Sequence, residues 1–229
     1  MNLKVARPIV AEFVGTALFV FLGTASIVAN YLTSGQIGMT GVALTHGVAM
    51  AIIVTATLRI SGGHINPAVT AALYVARKVD GRTAGMYVVA QIFGAILGSA
   101  LLKWLLPHAA VAATSYGAPA LSASTTFSQG IWIEAVLTFF LVSAVFGTAV
   151  SKEAPAVGGF GIGLAIFVAI LAGGDFTGAA MNPARAFGPA LLAGEMHGQA
   201  VYWIGPLIGA LVAALLWRFV LLPKDPAAL

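Results

Sequence analysis

An all-α membrane protein is what this sequence predicts: six transmembrane helices plus two re-entrant half-helices, set in an inverted repeat. Three observations predict it. The chain of 229 residues is 60% hydrophobic and only 8% charged, where a soluble domain carries about 25% charged residues. Long apolar runs follow one another, each near the roughly 20 residues that cross a bilayer core as a helix. Finally, a small, polar, proline-interrupted segment, "SGGHINPAV" (Ser61–Val69), returns as "TGAAMNPARAF" (Thr177–Phe187).

Reading apolar runs between polar or Pro/Gly breaks places the full-length spans at Ile9–Tyr31, Gly38–Leu58, Ala84–Leu106, Phe127–Val150, Val157–Gly173 and Gln199–Leu222. The first is followed by no convincing cleavage site and runs on into the repeat, so it reads as a permanent helix rather than a signal peptide. Two shorter apolar pieces, Ala68–Val75 and Ala184–Leu192, open just after an Asn-Pro and are too short to cross alone. Basic residues sort to one side. Lys4 and Arg7 precede the first span, Arg59, Arg77, Lys78 and Arg82 lie between the second and third, Lys152 between the fourth and fifth, and Arg218 and Lys224 in or after the last. The opposite side has only Lys103 and Arg185. By the positive-inside rule both termini are cytoplasmic, and a multi-pass protein of the plasma (inner) membrane is expected.

The chain repeats itself. "AEFVGTALFVFLGTA" (Ala11–Ala25) parallels "IEAVLTFFLVSAVFGTA" (Ile133–Ala149), with Glu12 and Glu134 in matching places. "YVVAQIFGAILG" (Tyr87–Gly98) parallels "YWIGPLIGALVA" (Tyr202–Ala213). Residues 1–229 thus read as one domain of two repeats, about 1–110 and 120–229. Each half holds an odd number of full spans, so the second enters from the opposite side, and inverted repeats build pathways at their interface.

Asn is a preferred N-cap, and proline at the first helical position loses nothing. Asn66, Pro67 and Ala68, like Asn182, Pro183 and Ala184, therefore each read as a helix start. About ten residues at 1.5 Å rise give about 15 Å, half the hydrocarbon thickness. Inversion brings the two N-termini together near the midplane. Irregular backbone at that depth survives only buried in protein or lining a water-filled cavity, and the glycines of "SGGH" and "GGDFTGAA" fit the tight turns such a lining needs. Two positive dipole ends would meet there, with both Asn amides donating inward. Water would accept both and turn its hydrogens outward, breaking any chain for proton hopping, while cations meet an electrostatic barrier. A path for neutral polar molecules is the consequence.

Glu12 and Glu134 are costly so close to the membrane interior. One reading is a proton relay. The other is support: each accepts backbone N–H bonds from its re-entrant segment. His64, which precedes Asn66 in its loop, is also expected to be structural. Duplication of both Glu residues with the segments favours support. The chain has no cysteine, which excludes disulfides and thiol chemistry. No His/Asp/Glu cluster has metal-ligand spacing and no Ser/His/Asp set is recognisable, so no enzyme, metal or cofactor is expected. The net charge of +4 comes without a basic patch interleaved with aromatics, which argues against nucleic acid.

"AEFVGT", "SGGHINPAVT", "GLAIFVAI", "MNPARAFGPAL" and "YWIGPLIGA" resemble the motifs of the aquaporin (major intrinsic protein) family, in order and over essentially the whole chain. The resemblance implies a right-handed bundle with one pore per subunit, assembled as a homotetramer in lipid. It also implies a four-position aromatic/arginine filter, which falls on His46, Ile170, Ala179 and Arg185. Bland alternatives exist for the first three: a satisfied core histidine, a packing aliphatic, a loop alanine. A lone arginine in an apolar bundle is harder to dismiss. This set departs from the water-selective pattern (Phe in helix two, His in helix five) and from the glycerol-facilitator pattern, and is most similar to the tonoplast-type branch. The expected function is a passive water channel that also passes small neutral solutes such as ammonia, urea or hydrogen peroxide. A glycerol or urea facilitator is the alternative within the family. An ion-coupled transporter would need ionisable midplane residues that these segments do not offer.

Overall fold

The computed structural model describes residues 3–223; Lys224, counted above with the basic residues, lies outside them. The order is α1 (Leu3–Leu32), α2 (Gly38–Thr57), α3 (Pro67–Val75), α4 (Gly81–Leu105), α5 (His108–Ala113), α6 (Phe127–Val145), α7 (Phe160–Thr177), α8 (Pro183–Ala193) and α9 (Gln199–Leu216). Six of these helices are long and apolar enough to cross a membrane. α3 and α8 have 9 and 11 residues, about 14 and 16 Å, and stop halfway. α6 and α9 each end in a π-helical turn, Phe146–Val150 and Trp217–Leu221, and the Phe146 and Trp217 rings stack there with centroids 6.0 Å apart.

Helix starts follow local chemistry. Asp80 caps α4 by accepting from the Arg82 and Thr83 N–H groups, both at 3.0 Å. Thr126 and Gln129 form a capping box on α6, satisfying donors that no intrahelical partner reaches. The helices depart most from the sequence boundaries in two places. α1 starts six residues ahead of Ile9 and runs through Pro8, because a proline this near the N-terminus removes little of the ladder. α7 runs to Thr177, past the Gly173-Gly174 pair that read as a break. Gly173 is there for space: a methyl on it would strike Leu137 of α6. The helix ends instead at Gly178, left-handed at φ 78°.

Packing repeats the inversion. α1 lies on α4, α6 on α9, and α2 meets α7 between the halves. Without a hydrophobic drive inside lipid, membrane helices associate by close approach of small residues. A methyl on Gly94 or Gly98 would run into the α1 carbonyls of Phe13 and Ala17, and one on Gly209 into the α6 carbonyl of Ala135. The outer surface is apolar, with Ile52, Val136, Phe93 and Leu164 exposed. Trp104, in the last turn of α4, and Trp132, in the second turn of α6, stand 79% and 63% exposed; indole rings near helix ends suit the headgroup boundary.

Candidate functional site

α3 and α8 point their N-termini at each other. Asn66 Oδ1 accepts from the Ala68 N–H at 2.8 Å, and Asn182 Oδ1 from those of Ala184 and Arg185 at 3.1 and 3.2 Å. The amide nitrogens cross the joint. Asn66 Nδ2 donates to Met181 O at 2.9 Å, and Asn182 Nδ2 donates to Ile65 O at 3.0 Å. Each Asn thus caps its own half-helix and ties itself to the residue just before the other. An amide NH₂ has two donors, so one hydrogen on each remains after the tie.

The carbonyls that receive these ties are aimed by backbone that side chains rarely tolerate. Ile65 and Met181 lie in the left-handed region at φ 54° and 51°, and Ala179 at 44°. Such residues cost about 1–3 kcal/mol each and persist only where the surroundings over-determine them. Two carboxylates supply that constraint. Glu12 accepts from Ser61 Oγ (2.6 Å), the His64 N–H (2.9 Å), the Ile65 N–H (2.7 Å) and Gln91 Nε2 (2.8 Å). Glu134 accepts from Thr177 Oγ1 (2.7 Å), the Ala180 N–H (2.9 Å) and the Met181 N–H (2.7 Å). Both carboxylates are fully buried, where such charge-assisted bonds are short and strong. Two tyrosines finish the frame: Tyr87 Oη donates to Ser61 O at 3.1 Å, and Tyr202 Oη to Thr177 O at 2.8 Å.

His64 stands behind α3. Its N–H serves Glu12, its ring meets Tyr87 edge-on at 5.0 Å, and Nδ1 lies 3.1 Å from Thr70 Oγ1. Thr70 donates to Asn66 O and accepts from Gln91 Nε2, so the His64 Nδ1 carries the proton of that contact. Of the glycines expected at the turns, Gly62 and Gly63 are left-handed at φ 91° and 61°. Gly173 and Gly174 are not: they belong to α7, and in the second segment only Gly178 takes that role.

Asn66 and Asn182 line one narrow cavity together with His46, Ile170, Ala179 and Arg185. Its volume, ≈ 10 Å³, is about that of one water position. A wider recess of ≈ 220 Å³, lined by Asn30, Met39 and Gly178, adjoins it and shares His46, Ile170 and Arg185. These three stand where wide meets narrow. Arg185 is 4% exposed, and its Nη1 donates to Gly117 O at 2.9 Å. Its Nη2 lies 3.4 Å from His46 Nε2. His46 Nδ1 is 2.9 Å from Val42 O, which takes the Nδ1 proton and leaves Nε2 as the acceptor facing the arginine. Gly23 makes room for that ring, since a methyl there would collide with it.

Several residues of this arrangement were not singled out from the sequence. Gly117 sits in a segment, 107–128, with no evident pattern; Tyr116, buried among Val28, Leu102 and Val111, anchors it. Ile65 and Met181 look like ordinary aliphatics. Tyr87 and Gln91 lay in the quoted repeat, and the mismatch of Gln91 with Pro206 was the available signal.

The profile of the Major intrinsic protein family matches residues 1–217. The chain is 44% identical to Aquaporin TIP4-4 of Zea mays over 219 residues, covering 92% of this chain and 85% of that protein. It is 39% identical to Aquaporin-8 of Mus musculus over 217 residues, 94% and 82% of the two. Among solved structures, the aquaglyceroporin from Plasmodium falciparum superposes with a TM-score of 0.80 at 24% identity, covering 94% of this chain and 96% of that one. Six spans, two half-helices joined tip to tip and these matches together place the chain in the aquaporin (major intrinsic protein) family.

Proposed function

We propose that the chain is a passive transmembrane channel for water that excludes ions and protons and also passes small neutral solutes. One observation carries the reading: two half-helix N-termini meet at a cavity of about one water, with Asn66 and Asn182 both on its wall. Each amide keeps a hydrogen free of the cross-tie, so a water between them accepts from both and its own hydrogens point away. That orientation interrupts proton hopping, and the paired positive dipole ends oppose cations. Arg185 adds a fixed positive charge and spare donors at the entrance. Ile170 adds an apolar side chain to the same lining, which suits weakly hydrated solutes such as ammonia, urea or hydrogen peroxide. Relatives named aquaporins at 39–44% identity favour water over glycerol as the principal guest.

Glu12, Glu134 and His64 serve as scaffold in this reading, with their acceptor and donor positions spent on the re-entrant backbone. No step of chemistry is assigned to them, and the protein is not a catalyst. Residues 1–229 act as one channel domain, both termini face the cytoplasm on the basic side, and subunits assemble as homotetramers in lipid. The plant relatives are tonoplast intrinsic proteins, which favours a vacuolar-type membrane over the plasma membrane expected above. Imaging a tagged chain in its host separates the two.

The test is stopped-flow volume change of proteoliposomes in water, urea and glycerol gradients, with a proton-flux assay beside it. Fast water and slow glycerol movement without proton current is expected. Glycerol flux rivalling water per channel, or sizeable proton current, overturns the reading.

A further inference from the structure

We propose that Glu195 is a positioning residue for Arg185, acting through the Ser115–Gly117 turn, and so sets which neutral solutes pass. The inference rests on the reading of Arg185 as the selectivity-determining cation. It gives segment 107–128 a role.

Among the described residues no carboxylate hydrogen-bonds the Arg185 guanidinium, whose contacts are Gly117 O and His46. Its position depends on the Gly117 carbonyl, 2.9 Å from Nη1, and therefore on the turn that carries it. That turn is an awkward one. Ser115, Tyr116 and Gly117 are consecutive left-handed residues at φ 46°, 58° and 71°, two of them with side chains that disfavour the region. Gly117 is also pressed on α1, since a Cβ on it would meet Thr24 at 2.9 Å. Strain of this kind persists only when contacts fix it from several sides. Besides Arg185, the Thr24 contact and the turn's own backbone bonds, two side chains do this: the buried Tyr116 ring on the inner side and, on the outer side, Ser115 Oγ, which donates to Glu195 Oε1 at 2.8 Å.

Glu195 is placed for that bond and gains little else. It follows the C-terminus of α8, where Gly194 is left-handed at φ 74° and the Glu195 N–H returns to Ala190 O at 2.9 Å. Its backbone is thereby rooted in the helix end. A carboxylate at a helix C-terminus faces the negative end of the dipole, so its charge does not stabilise α8. Arg185 lies in the first turn of the same helix. One half-helix therefore grips one turn at two points, Gly117 through Arg185 and Ser115 through Glu195. Releasing the outer grip lets the turn relax toward unstrained backbone, withdraws the Gly117 carbonyl and frees the guanidinium to swing.

The experiment compares urea-to-water permeability ratios of proteoliposomes carrying the full chain, Glu195→Ala, Ser115→Ala, Ser115→Ala/Glu195→Ala, Glu195→Gln and Arg185→Ala. Expected are rises of about two- to tenfold in the ratio for each single alanine at Glu195 and Ser115, the shift that one lost hydrogen bond gives. The double variant should add nothing beyond either single one. Glu195→Gln should keep the wild-type ratio, because its amide oxygen still accepts from Ser115. An unchanged ratio in both single alanine variants, or a ratio in Glu195→Gln equal to that of Glu195→Ala, overturns the proposal. Since Glu195 and Ser115 are altered independently, loss of one variant to misfolding leaves the other decisive. Arg185→Ala separates the levels: if it leaves the ratio unchanged, the reading of Arg185 fails; if it raises the ratio while the latch variants do not, only the latch fails.

Discussion

Behind α3, the Glu12 carboxylate takes four donors, and His64, Thr70 and Gln91 form a polar web around it. Behind α8, Glu134 takes three, and the aligned positions are Ala180, Ala186 and Pro206. On the cavity side the contrast reverses. Arg185 of the second segment aligns with Val69 of the first. The frame common to both (Asn cap, carboxylate, left-handed residue before the Asn, tyrosine brace) builds the joint. The polar residues beside the two segments diverge: around the first, His64, Thr70 and Gln91 go to support, while the second sends Arg185 to the channel wall. A duplicated scaffold has thus been kept symmetric where it carries backbone and made unequal where it meets solute.

Breaking the shared frame should have the largest effect. Glu12→Ala and Glu134→Ala each leave at least three buried donors unpaired, at about 1–3 kcal/mol per group. Both should sharply lower the thermal midpoint of the detergent-solubilised protein, with Glu12→Ala at least as severe because it orphans one donor more. Milder loss in Glu12→Ala would contradict the comparison.

Erasing the asymmetry on the cavity side comes next. Arg185→Val makes the second segment match the first and should raise the urea-to-water ratio about tenfold with a smaller loss of stability than either glutamate variant, as the arginine's hydrogen-bond partners, Gly117 O and His46, are neutral. An unchanged ratio would move the selectivity elsewhere. On the support side, Gln91→Leu or Thr70→Ala should each lose about 1 kcal/mol, read as a small drop in unfolding temperature with solute ratios intact.

The outer ends differ too: Asp80 caps α4, while Gly198 starts α9 without a side-chain cap. The Thr83 hydroxyl and the Thr83 and Arg82 N–H groups hold the Asp80 carboxyl below its ordinary value. Its contribution is therefore present above the ordinary carboxyl range and fades as pH falls through the lowered value. Asp80→Ala should flatten that acid-side decline slightly, and an identical pH profile would dismiss it. The smallest effect is none at all: with no cysteine, water flux should be indifferent to micromolar mercurials in both halves. Block at that level would reveal another inhibitory site.

Much of this was legible beforehand because membranes leave few options. Span lengths, the two Asn-Pro starts and the paired Glu residues follow from bilayer thickness, capping chemistry and the cost of buried charge. The family resemblance picked out His46, Ile170, Ala179 and Arg185, all four lining one cavity. What escaped is what depends on partners distant in the chain. Gly173 read as a helix break because its reason, the Leu137 side chain, lies on another helix. Gly117 gave no signal because its function is a carbonyl, which every residue owns. Ile65 and Met181 hid likewise: their role is a backbone angle that their side chains argue against.

The cross-tie at the centre has an implication for biogenesis. Its two bonds join residues 115 and 117 positions apart, so neither can form until both halves have been synthesised and inserted. Until then each left-handed tip must be kept in shape by the carboxylate and tyrosine of its own half. The conduit would be the last part of the molecule to close, and a nascent chain arrested before α8 would hold a finished bracket with nothing to clasp.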